Sequence, residues 1–562
     1  MCRRKKENVI MKYGCSVGVA IGLLGFGPAR GSDEFISPDT RVRIFDKTVS
    51  ELERIDGEGL PARMNRPEAW GTTIAALRAQ AKKAETKIDF GQVFRRLDAT
   101  YPNLHAQVNL DEKYDIAAGR LRPKIAFKFG AEIIEPKQIK FNYKISSIDA
   151  ELTKDIREVL RPAIGDNLLA INKKAIATWS DENFIFCKFP LRQQCETNIF
   201  DHFRKGYLSW DWRSPLTYTL ERNGRTWEVK VPVEIPNSKV KGLQTHGSTL
   251  ESDCPVEPER YGEFKAVYIG LNICVFESEK SPHISVLRIS SFRYRELPKE
   301  AKIRSLQNEV DKFYEGYWKD KAPSTRKLII DLLDNGGGDT PVPWYQLFYD
   351  KPFQEQFVQF KKLAELDDDE IRKDLFYDDN GKEIWFKNLK ESGVYDKVKR
   401  GSFLPAVPQF CASDNQSCEK GLFEPRKNGF KGDVRLMVNE WCISTCTGFV
   451  WSMKDQLGKR VKLVGFPDSG DSAYARLYLD AYLDNASVDG FRMQVSPRPG
   501  GTRQNVPERA ILRQQVTATR STDAMGRVLS ATPTETDFWI PYRYRQFEDS
   551  WESLVFKTAL EK

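Results

Sequence analysis

Histidine is scarce in this chain, with four residues among 562, at positions 105, 202, 246 and 283. No CxxC pair occurs among the ten cysteines, and together these shortages argue against a zinc site. After residue 31 no apolar run reaches the length needed to cross a bilayer. Internal repeats, low-complexity tracts and long polar stretches are missing too, which speaks against solenoid architectures and extended disorder. Positive charge is also less abundant than it looks. Arg3, Arg4, Lys5, Lys6, Lys12 and Arg30 against Glu7 place +5 of the formal +8 within residues 1–31, leaving +3 over the rest. A chain of this size with so little excess charge has no electrostatic case for nucleic acid.

What is present begins with that basic N-terminus. It leads into Ser16–Gly27, apolar and rich in glycine, and then into Ala29-Arg30-Gly31, with small residues at the −3 and −1 positions. This is the pattern of a secretory signal over 1–31, with Met11 as an alternative start and a mature chain beginning near Ser32. Cys15 lacks the small-residue context of a lipoprotein site, so a soluble periplasmic or secreted protein is expected, without a membrane-spanning segment once the signal is removed. Eight cysteines follow, an even number that reads as disulfides in an oxidising compartment. Spacings of eight and seven residues favour Cys187–Cys195 and Cys411–Cys418. Cys442 and Cys446 could bridge only if their Cα atoms come within about 7 Å.

Length and texture predict several domains. Residues 66–97 read as amphipathic helices, with Trp70, Ile74, Leu77 and Ala81 on one face and Phe90, Val93, Phe94 and Leu97 on another. Tyr101-Pro102-Asn103 then signals a turn, placing His105 just beyond a helix and ahead of an apolar–polar alternation. Between 137 and 236 the order is a helix over Ala150–Leu160, a strand in Gly165–Asn172, and a hairpin of Leu216–Leu220 and Trp227–Val233 around Asn223-Gly224. Residues 173–212 interrupt that order as an insertion. From His283 onward strands and helices alternate: Ile284–Ile289, a helix over Glu300–Tyr317, then Leu328–Leu333, Val434–Asn439, a helix from about Thr447 to Leu457, and Val461–Gly465. That alternation predicts a mostly parallel sheet with crossovers.

Two strand-to-helix junctions carry candidate chemistry. At Asp334-Asn335-Gly336-Gly337-Gly338, three glycines after a buried strand let the backbone turn sharply and aim amide N–H groups at an anion. No Lys-Ser or Lys-Thr follows, which disfavours a nucleotide loop. At Val438–Phe449 a serine, Ser444, ends a core strand and opens a helix, where the following amide and the helix dipole favour developing negative charge. By itself Ser444 would read as an ordinary N-cap.

Taken together these residues resemble the S41 peptidases, the tail-specific or C-terminal processing proteases and their tricorn-type relatives. The family strand "LIIDLRNNGGG" is similar to Leu328-Ile329-Ile330-Asp331-Leu332-Leu333-Asp334-Asn335-Gly336-Gly337-Gly338. Its nucleophile segment is similar to Val438–Thr447, with cysteines in place of small residues and Thr447 in place of a glutamate, and its "LVG" strand to Leu463-Val464-Gly465. Gly165-Asp166-Asn167-Leu168-Leu169-Ala170-Ile171-Asn172 looks like a PDZ signature. The resemblance implies an α/β multidomain fold with an N-terminal helical region, a PDZ-like β-rich domain and an S41-type (ClpP/crotonase-like) α/β catalytic core. The corresponding spans are signal 1–31, helical region 32–136, PDZ-like domain with insertion 137–236, linker 237–280, core 281–525 and C-terminal segment 526–562.

The resemblance also implies the site. Ser444 is the nucleophile, and the amides of Gly337 and Thr445 hold the oxyanion. Tail-specific members take a general base from a lysine after the "LVG" strand, but here no lysine occurs between Lys462 and Lys557. Tricorn-type members recruit a histidine from the N-terminal region, the place of Leu104-His105-Ala106, and imidazole is the side chain suited to proton exchange near neutrality. For the third member, Gln504 is the nearest hydrogen-bonding residue and Glu508 the nearby acid. The expected activity is a serine endopeptidase acting on extended or C-terminal peptide segments through an acyl-enzyme, with no metal or organic cofactor, protein or peptide as substrate, and oligomerisation left open. A catalytically inactive S41-like pseudo-enzyme that binds peptides through its PDZ-type module is the alternative, and a small-ligand binder on the same fold is a third reading.

Overall fold

The computed structural model describes residues 35–57, 67–111, 114, 125–133, 141–204, 214–233, 260–293, 299–339, 341–377, 379–409, 422–427, 430–471, 475–483, 490–496, 510–523, 525–541 and 550–562. The expected signal, Cys411–Cys418, Gln504 and Glu508 lie outside them. Ile36–Lys562 forms one compact unit. Among the described residues no helix is long and apolar enough to cross a membrane.

This is a mixed α/β architecture organised around a seven-stranded sheet. Its order runs Phe538–Trp539, Val461–Gly465, Asp433–Val438, Lys327–Asp331, Ile284–Ile289, Ile273–Glu277, Lys265–Ile269. The first five are parallel to one another, and each of the last two pairs antiparallel with the strand before it. Central strands read as apolar runs because both faces are covered. Leu328, Ile330, Leu436, Val438 and Leu463 pack under Thr445–Leu457 and Val342–Phe348, whereas Ile329, Met437 and Val464 meet Trp551–Glu561 on the other face. The one charge inside Leu328–Leu333, Asp331, is fully buried and pairs with Arg288 at 3.0 Å and Arg260 at 3.2 Å, with the Tyr261 hydroxyl donating to it. Burial pushes its carboxyl up, but the two guanidiniums win and hold it below the ordinary carboxylate value.

A six-stranded sheet contains Phe127–Ile133, Phe141–Ile148, Asn167–Ile171, Leu216–Arg222 and Arg225–Val231, with Lys174–Ala175 paired to Asn167–Ile171. Asn223 (φ 51°) and Gly224 (φ 76°) form the predicted hairpin turn, both in the left-handed region that matches strand twist. The helix expected over Ala150–Leu160 is shorter. It stops at Thr153 and resumes only as a 3₁₀ turn at Glu158–Leu160. Arg161 is extended ahead of Pro162, whose ring disfavours helical backbone in the residue before it. The 173–212 insertion supplies the helices Ile176–Asn183 and Arg192–Arg204.

A four-stranded sheet joins the two ends of the chain: Gln107–Leu110 pairs antiparallel with Ala510–Thr517, which continues to Arg476–Leu483 and Phe491–Ser496. Near it pack Pro38–Ile55, Pro67–Lys83 and Lys87–Ala99. Leu77, Ala81, Phe90, Val93, Phe94 and Leu97 are buried as their periodicity predicts, and Trp70 and Ile74 are half-buried. A Thr86–Asp89 capping box starts the third helix. That helix ends at Ala99, so the strand pairing delivers His105 to the C-terminal half of the chain.

Candidate active site

The parallel strand Asp433–Val438 ends in a tight turn, and the helix Thr445–Leu457 begins one residue after Ser444. Ser444 stands at the N-cap position, yet its hydroxyl caps no amide. Its backbone lies at φ 61°, ψ −122°, a region costly for a residue with a Cβ. Such a conformation persists only where neighbours over-determine it, and here they do. Cys442 and Cys446 are disulfide-bonded across the turn with Cα atoms 5.2 Å apart. The Ile443 amide donates to the Asn335 carbonyl at 3.1 Å, and the Ser444 amide to the Asp471 carbonyl at 2.5 Å. Thr447 sends its hydroxyl to the Cys442 carbonyl at 2.9 Å and shares a hydrogen bond with Ser469 at 3.1 Å.

The glycine loop meets this turn directly. Asn335 is buried, its side-chain Nδ2 donating to the Ile289 carbonyl at 2.8 Å and its Oδ1 accepting from the Gly337 backbone amide at 2.9 Å. Gly337 has φ 77°, and a Cβ added there would lie 2.4 Å from the Ile443 carbonyl oxygen, 2.8 Å from Ser444 Cβ and 2.9 Å from the Thr445 nitrogen. Only glycine permits that approach. Thr445 binds the Gly338 carbonyl through its hydroxyl at 3.0 Å, and as the first helical residue its N–H has no acceptor within the helix.

His105 comes from the far side of the sequence. Its Nδ1 lies 2.7 Å from Asp471 Oδ1, while Asp471 Oδ2 accepts the amides of Leu104 at 2.6 Å and His105 at 3.2 Å. Asp471 therefore faces two ways: its carboxylate holds the imidazole, and its carbonyl holds the backbone of Ser444. The carboxylate is buried and the imidazole nearly so. Asn103 steadies the same loop, its side-chain oxygen accepting from the amides of His105 at 2.7 Å and Ala106 at 3.1 Å, and Gln515 donates to the His105 carbonyl. Burial pushes the nearby Asp468 carboxyl up to about 6, against the hydrogen bonds it accepts from Gly470 and Thr534.

Gly337 and Thr445 thus lie against the Ser444 turn, and Asp471 links that turn to His105. Gln504 and Glu508 lie outside the described residues. Asp471 was missed by sequence reasoning, although it sits in the loop after Val461–Gly465 where the resemblance called for a lysine. An acid in that loop was the available signal. Lys454 and Lys462 both turn to Asp537, at 3.2 Å and 3.1 Å, while His283 contacts the Ser324 carbonyl at 3.1 Å. Of the disulfides anticipated from spacing, Cys187–Cys195 is present, and Cys274 is disulfide-bonded as well.

No protein-family model and no curated protein sequence matches the chain. Solved structures do. Mature CPAF in complex with lactacystin covers 93% of this chain and 97% of its own at 12% identity, with TM-score 0.53. Mature CPAF alone covers 93% and 96% at 12% identity, TM-score 0.51. This chain shares the CPAF fold. The photosystem II D1 C-terminal processing protease is a more distant likeness, 11% identical over 89% of this chain and 92% of its own, with TM-score 0.32.

Proposed function

We propose that the chain is a serine endopeptidase that cleaves extended or C-terminal peptide segments, exported to a periplasmic or extracellular compartment. The observation that carries this reading is the two-way grip of Asp471, which ties the backbone of a conformationally strained serine to the imidazole of a histidine 339 positions earlier in the chain. Strain at a sheet-edge serine whose hydroxyl is not used as a cap is expected of a nucleophile and not of a structural N-cap. In this reading His105, held through Nδ1, takes the Ser444 proton at Nε2 and returns it to the leaving amine, while Asp471 fixes the tautomer and stabilises the imidazolium. The amides of Thr445 and Gly337 receive the oxyanion, with the Gly337 N–H shared between it and Asn335 Oδ1. The six-stranded sheet, read as PDZ-like, would present an extended peptide to this edge.

Labelling with a fluorophosphonate probe tests the reading. Ser444 should react, Ser444→Ala should abolish both labelling and turnover, and His105→Ala should cost nearly as much because the pair acts as a unit. Lys454→Ala and Lys462→Ala should leave turnover unchanged. Lactacystin, held by CPAF in its solved complex, is a second probe. An unlabelled Ser444 in folded protein would favour the inactive, peptide-binding alternative.

A further inference from the structure

The loop closed by Cys187–Cys195, in the insertion, packs on the catalytic edge. Phe184, Phe189 and the disulfide form a small buried cluster against which Leu104 and Trp441 rest, and the Phe189 and Trp441 rings meet edge-on at 5.7 Å. Five hydrogen bonds from residues 188–198 reach the three segments that carry Ser444, His105 and Asp471. Asn198 and Thr197 donate to Glu440 at 3.2 Å, ahead of Ser444. Gln194 donates to the carbonyls of Pro467 at 3.1 Å and Asp468 at 2.5 Å, at the start of the loop that ends in Asp471. Lys188 donates to the Ala106 carbonyl at 2.5 Å and pairs with Asp98 at 2.7 Å.

Lys188 stands out chemically. Its ammonium and the Asp98 carboxylate are both buried, and Asp98 also accepts from Gln514 at 2.9 Å. A buried ion pair gains little stability over an apolar pair of the same volume, because desolvation offsets the attraction, so stability alone does not account for this one. The geometry here is specific. Asp98 belongs to the last turn of Lys87–Ala99, Ala106 follows His105, and one ammonium pins both ends of the 98–106 segment.

We propose that Lys188 is a positioning residue for the His105–Asp471 pair, clamping the His105 segment to the disulfide-closed loop so that the imidazole presents Nδ1 to Asp471. This rests on the peptidase reading for its effect on turnover, but not for the NMR measurement that tests it. With four histidines in the chain, the His105 imidazole is assignable in the full-length protein by loss of signal in His105→Ala. The Nδ1–H proton bonded to a buried carboxylate gives a downfield NMR resonance. In Lys188→Met this resonance should be lost or broadened. Because that variant leaves Asp98 without its counter-ion, the electrically neutral Lys188→Met/Asp98→Asn is the second variant, and it should fold and show the same loss. Its kcat on a fluorogenic peptide should fall about 10- to 100-fold with KM changed less than about threefold, the signature of a misplaced catalytic group. An unaltered resonance in the folded double variant, or no such resonance in the wild type, overturns the proposal. If the resonance responds as stated while the wild type is inert to fluorophosphonate, the peptidase reading fails alone and the clamp stands.

Discussion

Asp471→Asn isolates the role assigned to the acid. The substitution keeps the side-chain shape and leaves the backbone carbonyl that holds the Ser444 amide. A carboxylate can serve the imidazole through Oδ1 and the amides of Leu104 and His105 through Oδ2, but a carboxamide has one acceptor oxygen. With that oxygen on the two amides, the NH2 faces Nδ1, which must become an acceptor. The single imidazole proton then sits on Nε2, where the serine proton has to arrive. Holding a catalytic histidine in the wrong tautomer lowers kcat by about 10,000-fold, or about 5.5 kcal/mol of barrier. The stability cost is smaller, about 1.5–3 kcal/mol for one charge-assisted hydrogen bond. Turnover of a fluorogenic peptide, the rate of fluorophosphonate labelling and a thermal melt separate the two effects. Asp471→Ala should be less stable than Asp471→Asn, since it strips the Leu104 amide of its acceptor and leaves the His105 amide with Asn103 alone. If Asp471→Asn kept kcat within about tenfold of wild type, the reasoning would be wrong. The orienting group would then lie elsewhere, and Gln504→Ala or Glu508→Ala would carry the loss.

Cys442→Ser with Cys446→Ser should slow fluorophosphonate labelling at least tenfold in protein that a thermal melt shows to be folded. The bridge closes a short loop whose entropy is worth about 2 kcal/mol, and it spans the strained residue itself. Gly337→Ala should remove activity and destabilise the protein, because the new Cβ would meet the Ile443 carbonyl at 2.4 Å in a backbone region unfavourable to alanine; a folded, active variant would show that the loop gives way. Asp468 carries a pH signature. Its carboxyl is raised to about 6 in the fold, so the folded state binds the extra proton and stability falls as pH rises from roughly 4 to 6, by about 3 kcal/mol, and is level above. Melting curves at pH 5 and pH 7 should differ less for Asp468→Asn than for wild type, and equal differences would refute the assignment.

The strands Ile284–Ile289 and Val461–Gly465 stand where the sequence alone puts them, as does the Asn223-Gly224 hairpin. Buried parallel strands are short apolar runs between turn residues, so composition over six residues suffices to find them. The two chemical junctions were legible for the same reason, since a glycine run and a serine after such strands are local patterns. Backbone strain at Ser444 was not legible, because it arises from neighbours 335 and 471 that hold the turn from outside. Nor was the break in Ala150–Leu160 read correctly: it falls after Thr153, and Pro162 accounts only for the extended Arg161 that ends the later turn. The largest gap was the partner of the histidine. His105 and Asp471 are 366 residues apart, and only the pairing of Gln107–Leu110 with Ala510–Thr517 and the packing of the disulfide-closed insert bring their loops together. Local sequence determines which segments become strands and turns, because those depend on residues within reach along the chain. Which side chains meet at a sheet edge depends on long-range register and burial, and tertiary structure alone decided that here.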